Sequence, residues 1–181
     1  MKLGDFTFKR RYSLAQVIVD IASVIAFLSI IFVIYACAMD IEMAKSLNST
    51  GESLSFLNWR PLIIWAVLGL VVCILSVIAL FIPRKMPKKR TVTEGYAPKY
   101  CNIIDTCISC LRLIILLAIS ELCYIHMRTI MLQENSFSIQ LVLHVIIAAL
   151  IIWFTAVRLD SISQAASEEL PEKKKREIIE N

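Results

Sequence analysis

The chain predicts an all-α integral membrane fold, an antiparallel bundle of four transmembrane helices with both termini in the cytoplasm. Three observations carry that expectation. Four apolar stretches, 17–39, 62–82, 103–125 and 138–157, each approach or exceed the roughly 20 residues a helix needs to cross about 30 Å of hydrocarbon. Lys and Arg gather in alternate segments between and beyond those stretches. The composition is 58% hydrophobic over 181 residues with a mean hydropathy of +0.72, too apolar to surface a soluble core.

The N-terminal segment, 1–16, carries Lys2, Lys9, Arg10 and Arg11. The first apolar stretch follows it. Ala36-Cys37-Ala38 resembles a cleavage site, and Ile34-Tyr35-Ala36-Cys37 faintly resembles a lipoprotein signal. The apolar run is longer than the roughly 7–15 residues of a signal-peptide core, so a retained helix is expected. The first loop has only Lys45 and Arg60, together with the glycosylation sequon Asn48-Ser49-Thr50.

After the second stretch come Arg84, Lys85, Lys88, Lys89, Arg90 and Lys99; after the third, only Arg128. The tail, 158–181, carries Arg158, Lys173, Lys174, Lys175 and Arg176 among Glu168, Glu169, Glu172 and Glu177. All the rich segments fall on one side of a four-crossing path. By the positive-inside rule that side is the cytoplasm of a multi-pass plasma-membrane protein. The net charge of +4 is therefore read as topology and not as a nucleic-acid footprint. The basic runs at 84–90 and 173–176 suit anionic lipid, and the bilayer is the first partner. The loops are too short for a separate domain with its own core, so function belongs to the bundle, its two faces or a partner.

Small residues mark the expected packing seams. Ala22, Ala26, Ser29, Val33 and Ala36 recur at alternating four- and three-residue spacing, as do Ala66, Gly69, Cys73 and Ser76. Such stripes let helix backbones approach where lipid offers no hydrophobic drive.

Ionisable residues inside the spans are the candidate functional groups, because each costs at least about 2.5–3.5 kcal/mol at mid-bilayer. Asp105, Ser109 and Arg112 share one face of the third helix, and Asp20 in the first helix can reach the same layer. An Asp20–Arg112–Asp105 cluster is the first candidate; its plainer reading is an ion pair that sets helix register. Glu121 and His144 fall at nearly equal depth on sequential helices and form the second candidate, towards the outer face. That pair can relay protons, sense pH or help hold a metal; its plainer reading is a satisfied Glu–His contact. His144 heads a stripe of Ala148, Ile151, Thr155 and Arg158 that reads as an inward face. His126 reads as an interfacial residue facing water.

Of six cysteines, Cys101, Cys107 and Cys110 cluster at the start of the third helix, the last two as C-x-x-C. The motif falls on the reducing side and neither outer loop holds a cysteine, which argues against quinone-linked disulfide formation. Zinc on Cys101, Cys107 and Cys110 stays an alternative reading, one that lacks a fourth ligand. Cys37, Cys73 and Cys123 read as packing residues. No metal or other cofactor is expected. The chain has no phosphate loop, H-E-x-x-H or nucleophile elbow.

Thr91-Val92-Thr93-Glu94, Tyr100 and the third span ending Tyr124-Ile125 resemble a group of small bacterial membrane proteins of unknown function. So do Asn48-Ser49-Thr50-Gly51-Glu52 and Trp59 in the first loop. That group includes the domain found in immunity proteins against a sporulation-delaying toxin. Its usual Leu-Pro and His-Phe residues before the Asn are absent here. The resemblance implies a bacterial plasma-membrane protein with an immunity or sensory role.

Two function classes follow. The first is a non-catalytic interaction protein, an immunity, sensory or accessory subunit that engages a membrane-protein partner or a second copy. The alternative is an oligomeric transport component with Asp20, Arg112, Glu121 and His144 along a polar path. An enzyme trails both, since only Glu121 and His144 offer a metal site and the ligand set is incomplete.

Overall fold

The computed structural model describes residues 2–3, 6–7, 13–47, 58–82, 92–93, 95–132 and 139–168. Within these, two short strands, β1 (Lys2–Leu3) and β2 (Phe6–Thr7), precede α1 (Leu14–Leu47). A 3-10 turn, Arg60–Leu62, leads into α2 (Ile63–Phe81), and α3 (Ala97–Leu132) and α4 (Ile139–Glu168) complete the order. All four α-helices are long and apolar enough to cross a membrane. The first-loop sequon, the basic run 84–90 and the tail beyond 168 lie outside the described residues.

Local chemistry sets the helix ends. Ser13 starts α1: its Oγ accepts the Gln16 N–H at 3.1 Å, which satisfies one of the orphan donors of a helix N-terminus. Asn58 Oδ1 accepts the Arg60 N–H at 3.1 Å, and Pro61 occupies the opening turn of the α2 segment, where its missing N–H costs nothing. At the other end Ile82 is extended, with ψ 127°, as a residue before proline must be. Pro98 sits in the first turn of α3 for the same reason as Pro61.

Helices α1, α3 and α4 overrun the apolar stretches that mark them. At 1.5 Å per residue the 36 residues of α3 run about 54 Å, well beyond the hydrocarbon. Hydropathy marks only the lipid-facing part of a helix, whereas hydrogen bonding carries it on into the polar region.

Helix α3 is the hub. It packs most extensively against α1, then against α4 and α2, while α1 and α2 meet more sparingly. The main core lies between α1 and α3, with Ala26, Ile30, Ile34, Cys37 and Ile41 facing Leu116, Ile119 and Cys123, and Leu62 closing one side. The most buried line of α1 is therefore this four- and three-residue run, which shares Ala26 with the small-residue stripe. Ala22, Val33 and Ala36 flank it half-buried, because bulkier Ile30 and Ile34 fill the space between the helices.

On α2 the small-residue stripe does face inward, with Gly69 and Ser76 buried. A Cβ on Gly69 would lie 3.1 Å from the Phe27 ring and 3.3 Å from Ile30. Exposed large hydrophobics cover the outward faces of all four helices, the arrangement expected of surfaces solvated by lipid chains.

A second small core joins the N-terminus to the ends of α3 and α4. Leu3 is fully buried there with Val92, Ala97, Tyr100, Cys101 and Leu159. The strands pair Lys2 with Thr7 and Leu3 with Phe6. The sequence reading placed only a charged segment here. The signal in the sequence is a Gly-Asp dipeptide between two short runs, a pattern that favours hairpins.

Candidate functional site

The polar side chains of the bundle are arranged around α3. Arg112 Nη2 donates to Asp20 Oδ1, joining α3 to α1. Asp105, Ser109 and Arg112 are all buried on one face of α3, as their i, i+4, i+7 spacing requires. Asp105 lies two turns from Arg112 toward the helix start, about 10 Å along the axis, and is itself engaged.

Facing this layer from α1, Gln16 and Ser23 are buried, and Ser23 Oγ donates to the Val19 carbonyl at 2.8 Å. Neither amide atom of Gln16, nor Ser109 Oγ, nor Arg112 Nε has a hydrogen-bond partner among the described residues. Gln16 stands where a capping-box residue would turn back to the Ser13 N–H; its side chain is instead buried in the bundle. Sequence reasoning did not single it out. The Ser13-x-x-Gln16 spacing was the available signal.

Nine residues further along α3, Glu121 Oε2 lies 3.4 Å from His144 Nδ1 of α4, with side chains 11% and 19% exposed. This is ion-pair range without hydrogen-bond geometry, and the pair carries opposite charges only when His144 is protonated. Between the two clusters Leu116 is fully buried and Ile119 nearly so. Ser29 and Ser120 hydroxyls meet there at 3.0 Å.

His126 differs from its expected place in water. It is half-buried, and its Nδ1 accepts the Trp65 indole N–H at 3.1 Å, with the two rings perpendicular. Because an indole only donates, the His126 proton resides on Nε2. A Trp in a span needs a partner for its N–H, and that was the signal for this contact.

The cysteines divide. Cys101 belongs to the small core with Leu3, whereas Cys107 and Cys110 line a groove against α4. None of the six forms a disulfide among the described residues. Among the described residues no three His, Cys, Asp or Glu side chains converge as metal ligands.

Taken together, three polar side chains of α3 each reach a different neighbour: Arg112 to α1, His126 to α2, Glu121 to α4. Comparison of the chain with family models, with curated proteins and with solved structures finds no match.

Proposed function

We propose that the protein is a multi-pass plasma-membrane protein, with both termini cytoplasmic, that works by binding a membrane-protein partner as an immunity, sensory or accessory subunit. An antiparallel bundle is part of this reading. The contacts Asp20–Arg112 and Ser29–Ser120 ascend together along α1 and α3. Gly69 lies against Phe27 and Ile30, Trp65 against His126, and Glu121 against His144. The charge asymmetry of the loops supports cytoplasmic termini.

The observation that carries the proposal is the state of α4. No residue in its most apolar 18-residue window is buried; it packs chiefly on α3 and exposes Trp153 at 65%. A helix held on one side, with a large aromatic on the other, offers a partner a face at little cost to the rest of the bundle.

A photocrosslinking residue at Trp153, with Phe32 on α1 as the reference position, tests this in native membranes. A stoichiometric protein adduct is expected at Trp153 and not at Phe32. Adducts at neither position, or only to a second copy, would overturn the partner reading.

A transport component is the second reading. The unpartnered polar atoms of Gln16, Ser109 and Arg112 favour it, because a hydrated layer is how a bundle admits ions. Leu116 and Ile119, buried between the two charged clusters beside the Ser29–Ser120 contact, weigh for the first reading because they interrupt a charged path.

A further inference from the structure

Between α3 and α4 lies an open groove, lined by Cys107 and Cys110 on one side and by Ile147, Ile151 and Phe154 on the other. Its walls are almost wholly apolar. Two hydroxyls in its lining are engaged within their own helices: Thr106 donates to the Asn102 carbonyl at 2.8 Å and Thr155 to the Ile151 carbonyl at 2.7 Å. Arg158 and Ser161 border that end, and the Arg158 guanidinium sits 5.4 Å from the centre of the Phe154 ring.

We propose that this groove holds one acyl chain of an anionic phospholipid, with Arg158 bound to the lipid phosphate. Depth supports the assignment. Ile147 lies near the middle of the α4 apolar run, 139–157, and Arg158 follows its last residue. The eleven helical steps from Ile147 to Arg158 rise about 16 Å, close to half of a hydrocarbon core of about 30 Å. The groove therefore runs from mid-membrane to the headgroup level of one leaflet and meets Arg158 there, the one cation among its described lining residues.

Charge and depth favour a lipid over a second protein helix. From Ile147 to Ile162 the groove follows about 22 Å of α4, apolar along its membrane half and cationic at Arg158, the order of an acyl chain and its phosphate.

Arg recognises phosphate through its planar fork of donors, and the Phe154 ring beside the guanidinium steadies it at the groove edge. Placement in the cytoplasmic leaflet, where anionic lipid is concentrated, rests on the topology proposed above. The site itself does not.

The test uses the full chain in lipid nanodiscs containing phosphatidylglycerol or phosphatidylcholine, each with a diazirine at mid-chain. Crosslinked peptides and lipid copy number are read by mass spectrometry. Phosphatidylglycerol is expected to label α3 and α4 at Cys107, Cys110, Ile147 and Ile151, with about a fivefold preference over phosphatidylcholine. Arg158→Gln abolishes that preference and Arg158→Lys retains most of it. Ile151→Trp, which fills the groove, removes labelling by both lipids; Leu150→Trp serves the same purpose if that variant does not fold. Equal labelling by the two lipids, labels spread over α1 and α2, or Cys107-to-Cys107 crosslinks between copies would each overturn the assignment. None of these readouts depends on membrane orientation or on a protein partner.

Discussion

Arg112, nearly buried on α3, closes its guanidinium on the carboxylate of Asp20, which sits seven residues into α1 and keeps 35% of its side-chain surface. The cation is the deeper partner and depends on the anion more than the reverse. Removing one member of such a pair leaves an uncompensated charge, whereas removing both leaves little penalty. Asp20→Asn is therefore expected to lower stability by about 1–3 kcal/mol, the range discounted for the partial exposure of Asp20. The double variant Asp20→Asn with Arg112→Met should recover most of that loss. Thermal unfolding in detergent measures both, and additive losses would contradict the pairing.

Trp65 donates to His126 in the half of the bundle remote from Arg112. Trp65→Phe removes the donor while keeping the ring, and about 1 kcal/mol of stability should go with it. His126→Gln offers an alternative acceptor and should cost less than His126→Leu. Denaturant titrations of the three variants give the order; a Leu variant as stable as Gln would show the contact to be idle.

Gly69 allows α2 to approach α1 at Phe27 and Ile30. Gly69→Val forces the Phe27 ring aside and should destabilise by about 1–3 kcal/mol, the usual range for overpacking. Phe27→Leu in the same chain should restore part of it, since the nearest atoms belong to the ring. No rescue would place the strain in the α2 backbone.

Leu3 is fully buried in the small core that also holds Cys101, 1% exposed. Leu3→Ala opens a cavity against the starts and ends of three segments, with an expected loss of about 2–3 kcal/mol locally. The readout is the rate at which a maleimide labels Cys101, which should rise in Leu3→Ala and stay low in the parent chain. Unchanged labelling would mean that the hairpin does not guard that core.

Much of this architecture is legible residue by residue. Four helices follow from hydropathy because lipid admits no unpaired backbone, and a spanning segment of this composition has only the helix available. The i, i+4, i+7 spacing of Asp105, Ser109 and Arg112 places them on one face for the same geometric reason. Matching depths along α3 and α4 place Glu121 and His144 in one layer.

Other features were not legible because they depend on which surfaces meet. Hydrophobic residues surround every helix of a membrane protein, so composition cannot rank one apolar face above another. That is why the buried line of α1 runs through Ala26, Ile30, Ile34, Cys37 and Ile41, and the small-residue stripe shares only Ala26 with it. Tertiary packing alone moved His126 from water to Trp65 and drew Leu3 back onto α3 and α4. It also left α4 on the flank of α3 with a groove between them. By itself the sequence determined how many helices cross and which of their residues are costly to bury, since both are set by transfer from water to lipid. The tertiary structure decided which of those residues meet, since that is set by the shapes of the packed helix faces.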